Sequence, residues 1–225
     1  MRRTLLVVAA AAAAYLGLGA LLHFVVFPEP APPHDDRPER GTRVRLPGGS
    51  SFIFRQTAAE TDGALFEAEW IGEPGAGTPR HTHPSQEERL RIEAGELRLV
   101  SAGRERRLGP GEQAVVPAGV AHRWENPGPG RARGVFQLRP AGRADFVFVQ
   151  LDRAFAGEAG PFATAIQTFI LIGTHGEHTA WPIETLRLLV APTARLFGFR
   201  SYYEPPAGRP SRPAEPGSLR PDPSR

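Results

Sequence analysis

His81 and His83 are separated by a single residue, and Glu87 and Glu88 follow closely. On an extended strand, residues two apart point to the same face, so the two imidazoles of His81-Thr82-His83 emerge together. Parity also separates the two glutamates. Glu88 alternates in step with Leu90 and Ile92, whereas Glu87 alternates with Arg89 and Arg91. Glu88 is therefore expected to point inward with the apolar residues, and Glu87 toward water. An inward carboxylate is costly unless a partner compensates for the lost hydration. Two nearby histidines holding a divalent cation supply that compensation. His122 follows a Pro-x-Gly turn, Pro117-Ala118-Gly119, at the start of another strand, and can add a further ligand. Three imidazoles and one carboxylate suit one divalent transition metal (Fe, Mn, Ni, Cu or Zn) with positions left for water or substrate. Glu88 is also the candidate catalytic residue, a base if it leaves the metal.

Composition removes the competing chemistries. The chain has 225 residues and no cysteine, so disulfides, zinc–thiolate sites and cysteine nucleophiles are excluded. Its basic residues are all arginine, balanced by acids to a net charge of +3, which gives weak long-range attraction for nucleic acid. Arg104-Glu105-Arg106-Arg107 reads as an exposed hairpin rather than a nucleic-acid patch, and no nucleic-acid partner is expected. No serine elbow, P-loop or dinucleotide-binding glycine pattern is present.

The elements that position these residues read as short strands. Glycine (25) and proline (24) are too frequent for long helices throughout the chain. Between Gly41 and Leu151, apolar and polar residues alternate in short runs: 51–55, 64–71, 88–93, 96–101, 113–116, 122–125, 132–139 and 144–151. Turns rich in glycine and proline separate them, which predicts an all-β sandwich or barrel. Trp70, Trp124, Phe66 and Phe136 are expected to line it. Trp124 shares parity with His122, which leaves both a core position and a pocket wall open to it. Gln113 and Arg139 are candidate polar contacts for a ligand.

The two turn segments carry a resemblance. Gly75, His81, His83, Glu88 and Gly95 match the spacing of the first motif of the cupin superfamily, and Gly111, Pro117, Gly119, His122 and Asn126 match the second. The resemblance covers roughly Thr42 to Leu151 and looks like a small bacterial single-domain cupin. It implies an antiparallel jelly-roll barrel with His81, His83, Glu88 and His122 as metal ligands. It also implies turn-forming glycines and Pro117, and a structural Asn126.

The flanks predict further parts. Leu5 to Phe27 is apolar apart from His23, and as a helix would extend roughly 34 Å at about 1.5 Å per residue. That matches a hydrocarbon core of about 30 Å and predicts a transmembrane anchor over 1–27. Arg2 and Arg3 precede it, so the N-terminus is expected in the cytoplasm and the cupin domain outside. A cleaved signal peptide is the alternative. Residues 28–40 read as a Pro-rich tether, 41–151 as the barrel, 152–203 as a helical extension and 204–225 as a disordered Pro-rich tail. Helical spacing marks 162–173 and 183–197, for packing on the barrel, at a homodimer interface or on a membrane surface. His175 and His178 flank Glu177 and read either as a second metal site or as a polar helix end.

These readings predict a membrane-anchored, metal-binding cupin. Its expected activity is that of a metal-dependent, dioxygenase-like enzyme acting on a small organic substrate outside the cytoplasm, with isomerisation a close variant. The alternative is a non-catalytic module that binds or senses a small ligand or metal.

Overall fold

Alternating sequence becomes strands wherever one face can be buried. The computed structural model describes residues 2–21, 25, 38–156, 160–175, 194 and 199. Among the described residues nine strands form: β1 (Arg43–Leu46), β2 (Ser50–Gln56), β3 (Phe66–Gly72), β4 (Glu87–Ala94), β5 (Leu97–Ser101), β6 (Arg104–Leu108), β7 (Gln113–Val116), β8 (His122–Glu125) and β9 (Ala132–Arg139). In β3 and β4 every second residue is buried, as period-two patterning requires. Three α-helices accompany them among the described residues: α1 (Arg2–Leu21), α2 (Ala144–Ala156) and α3 (Pro161–His175).

The strands form two separate sheets. One has six strands in the order β1-β2-β3-β9-β4-β7, and the other three in the order β6-β5-β8. Their inner faces share one core, with Phe52, Trp70, Leu90 and Phe136 from the larger sheet and Leu97, Leu99, Leu108 and Trp124 from the smaller. The Trp70 and Trp124 rings meet edge to face across that core, 5.0 Å apart.

The expected all-β closed barrel is therefore corrected to a mixed α/β cupin-like fold of two sheets. No ladder closes the sheets into a barrel among the described residues. The physical reason lies in residues 144–151, which form most of α2 instead of a last strand. Their apolar residues satisfy helical as well as alternating spacing, and a window of eight cannot separate the two. Packing decides between them. Ala144, Val147, Phe148 and Ala154 form one buried face, and Phe148 stacks edge to face on Phe52 at 4.7 Å. Helix α2 also covers the free edge of the larger sheet, where the Arg45 N–H donates to Asp152 Oδ1 at 2.8 Å. Asp145, also on α2, accepts from the Ala58 N–H at 2.9 Å.

The anchor expectation is corrected as well. Helix α1 is described over Arg2–Leu21 and opens with Arg2 and Arg3. Among the described residues no helix is long and apolar enough to cross a membrane. The single-pass topology, the membrane partner and the extracytoplasmic placement of the domain lose their support with it. Helix α3 falls where helical spacing marks 162–173. The segment 183–197, except for Ala194, and the tail 204–225 lie outside the described residues, as does most of the tether.

Candidate metal centre

Three parts of the chain supply the site. Glu88 sits on β4 in the larger sheet and His122 opens β8 in the smaller one, while His81 and His83 lie in the connection between β3 and β4. That connection is held as an irregular extra strand against β8. His81 and His122 exchange backbone hydrogen bonds at 2.9 Å in both directions, and the Thr78 N–H donates to Trp124 O at 2.8 Å. Gly77 permits this approach, because a Cβ there would stand 2.1 Å from Trp124 O. Gly119 fixes the other side: its φ of +77° suits glycine, and its N–H donates to His83 O at 2.8 Å.

All four predicted ligand residues come together. Their donor atoms lie within 4.8 Å of one another. The Nε2 atoms of His81 and His83 are 3.1 Å apart. Glu88 Oε2 stands 3.1 Å from His83 Nε2, 3.3 Å from His122 Nε2 and 3.8 Å from His81 Nε2. The side chains of His83, Glu88 and His122 are at most 2% exposed, while that of His81 is 11% exposed and marks the side of the cluster nearest water.

The hydrogen-bond chemistry of this donor set fits a cation. A carbonyl oxygen only accepts, so His81 Nδ1–H donates to Pro79 O at 2.8 Å and His122 Nδ1–H donates to Val120 O at 2.9 Å. With the proton on Nδ1, each neutral ring directs the lone pair of Nε2 into the cluster. Backbone carbonyls are common partners for the outer nitrogen of metal-binding histidines, because they fix tautomer and ring orientation. Glu88 Oε2 adds another electron-rich atom. Lone pairs converging at these distances repel unless protons or a metal ion lie between them, and the buried surroundings strengthen that demand.

The proton equilibria follow from the same crowding. Burial alone would raise the Glu88 carboxyl, but hydrogen bonds to His122, His81 and His83 outweigh it and hold the group well below its ordinary 4.5. Burial would lower His122, yet its hydrogen bond and charge attraction to Glu88 prevail and raise it above its ordinary 6.5.

The remaining sequence candidates are distributed differently. Trp124 is buried beside the cluster and donates from Nε1 to Glu88 Oε1 at 2.7 Å. Gln113 and Arg139 are exposed and line no part of the site. Asn126 is buried, and its Nδ2 donates to Gly72 O at 3.0 Å, Glu73 O at 3.2 Å and Gly130 O at 2.8 Å, tying two loops together. The side chains of His175, Glu177 and His178 lie outside the described residues. Sequence reasoning missed Gln86, which is buried and donates from Nε2 to Pro140 O and Ala141 O, each at 2.9 Å. These bonds tie the loop before β4 to the segment after β9, and one glutamine in a polar run carries no signal of it. Gly77 was also not singled out, because its role depends on a strand contact distant in sequence.

Two sheets sharing a core, with a His-His-Glu-His cluster between them, define a cupin domain. Residues 68–136 match the family model described as "Cupin domain", and the domain belongs to the cupin superfamily. No curated protein matches the chain. Among solved structures it is similar to KdgF from Halomonas sp., with 18% identity, 44% of this chain and 86% of that chain covered, and a TM-score of 0.40. It is likewise similar to a sugar phosphate isomerase of the cupin superfamily from Silicibacter pomeroyi, with 26% identity, coverage of 49% and 75%, and a TM-score of 0.37. A predicted oxalate decarboxylase from Thermotoga maritima shows 18% identity, coverage of 49% and 99%, and a TM-score of 0.41. The expected membrane-anchored, dioxygenase-like enzyme is thus corrected to a cupin-fold protein with a candidate metal-binding cluster, since among the described residues no helix is long and apolar enough to cross a membrane.

Proposed function

We propose that His81, His83, Glu88 and His122 hold one divalent transition-metal ion, and that the domain uses it to bind a small organic molecule carrying an oxygen donor. The reading rests chiefly on the convergence of three imidazole nitrogens and one carboxylate oxygen in a cluster that is buried except at His81. Such a mixed set accommodates Mn, Fe, Ni, Cu or Zn. When bound, the ion supplies a Lewis acid that can polarise an oxygen of the small molecule. The chain's own residues do the rest. The carbonyls of Pro79 and Val120 hold the His81 and His122 rings in the tautomer that leaves Nε2 available. Glu88 brings one negative charge to the ion, so the loaded centre stays positive and favours an anionic or strongly polar oxygen. The Trp124 indole donates to Glu88 Oε1, which leaves Oε2 turned toward the three imidazoles.

Metal analysis of the purified full chain by emission spectroscopy tests this reading. The wild-type protein is expected to carry about one transition-metal ion per chain and His83→Ala to lose it, as removal of a ligand requires. Stoichiometric metal retained by a folded His83→Ala protein would refute the ligand assignment.

A further inference from the structure

Trp124 stands two residues after His122 on β8, so the two side chains share the inner face of the strand. Both are 1% exposed. The indole Nε1–H donates to Glu88 Oε1 at 2.7 Å, a buried bond to a charged acceptor. The ring itself is fixed from behind. Trp70 packs edge to face on it at 5.0 Å, and Trp70 Nε1–H donates in turn to Ser50 Oγ at 3.2 Å. The two oxygens of Glu88 thus have different surroundings. Oε1 faces an indole donor, whereas Oε2 faces the three imidazoles.

From this asymmetry we infer that Trp124 is a positioning residue for the metal centre, rests on the metal assignment above, and forces Glu88 to offer a single oxygen to the ion. A glutamate on a flexible side chain can turn to bind through both oxygens or swing out of the cluster. The indole blocks both movements, because each requires Oε1 to give up a short, buried hydrogen bond. Hydrogen-bond partners of a ligating carboxylate commonly change metal affinity by 10–100-fold when removed. Trp124→Phe keeps an aromatic ring in the core and deletes the donor, while losing the volume of the indole's second ring.

The test is titration of the metal-free full chain with cobalt(II), followed by its visible absorption, for the wild type and Trp124→Phe. The variant is expected to bind cobalt about 10–100-fold more weakly and to show a changed band pattern from altered coordination. An unchanged affinity and spectrum would overturn the role of Trp124 while leaving the ligand assignment standing. A wild-type protein that takes up no cobalt would overturn both. Should Trp124→Phe fail to fold, the indole N–H resonance of Trp124 in the wild type decides the matter. It is expected to exchange slowly with solvent and to move when zinc is added, whereas fast exchange and no movement would overturn the proposal.

Discussion

Asn126 shows how the site depends on a residue that never reaches it. Asn126 ends the second sequence motif and is 1% exposed. Its amide donates to three carbonyls, from Gly72, Glu73 and Gly130, while its Oδ1 accepts from the Gly128 N–H at 2.9 Å. The adjoining backbone at Gly75 donates to Asn126 O at 2.9 Å, which carries the anchoring on to the segment that bears His81. Asn126→Ala leaves buried carbonyls without a donor and is expected to destabilise the domain by about 2–3 kcal/mol, measured by urea unfolding of metal-free protein. This role is consistent with the structural part implied by the family resemblance, but its partners are two loops that no local reading connects.

At the level of elements, α2 is where alternation misled. The Phe148 ring joins Phe52, Phe66 and Phe136 at 4.7, 5.5 and 5.8 Å, in an apolar cluster between α2 and the larger sheet. Phe148→Ala is expected to cost about 3–5 kcal/mol through lost burial and the cavity left behind. Because Phe148 supplies no ligand atom, the metal affinity of the folded variant should match that of the wild type; differential scanning calorimetry and metal titration together check both halves. On the outer face, Glu93 meets Arg91 at 3.1 Å, Arg133 at 3.6 Å and Arg55 at 3.9 Å, an ion network across β2, β4 and β9. Being partly exposed and screened, such pairs contribute little individually. They do explain why arginines fill the outward positions of these strands.

For the whole molecule, the metal couples stability to pH in a direction that can be worked out. In the metal-free protein, Glu88 has a lowered pKa, so its contribution is present above the unfolded value near 4.5 and fades as pH falls through the lower folded value. His122 has a raised pKa, so its contribution is full below the unfolded value near 6.5 and fades as pH rises through the higher folded value. Metal binding needs deprotonated imidazoles and therefore strengthens as pH rises. The thermal midpoint with excess zinc, minus that with chelator, is accordingly expected to widen steadily from pH 5 to pH 8. A gap that stays constant or narrows over that range would contradict metal binding by these histidines.

Much of the centre was legible in the chain itself. The spacing of His81, His83, Glu88 and His122 and the parity that turned Glu88 inward follow from the covalent alternation of a strand, which needs no knowledge of its neighbours. The same local rule located most of the strands. It could not tell that Ala144–Leu151 coils into α2, since eight residues satisfy both periods and only the Phe148 pocket and the open edge of β1 distinguish them. Nor could it show that the Trp124 indole meets Glu88 from a different sheet. Contacts between residues far apart in sequence depend on how the two sheets pack. The sequence by itself determined which side chains could bind a metal, and the tertiary structure alone decided which oxygen of Glu88 faces the cluster and what holds it there.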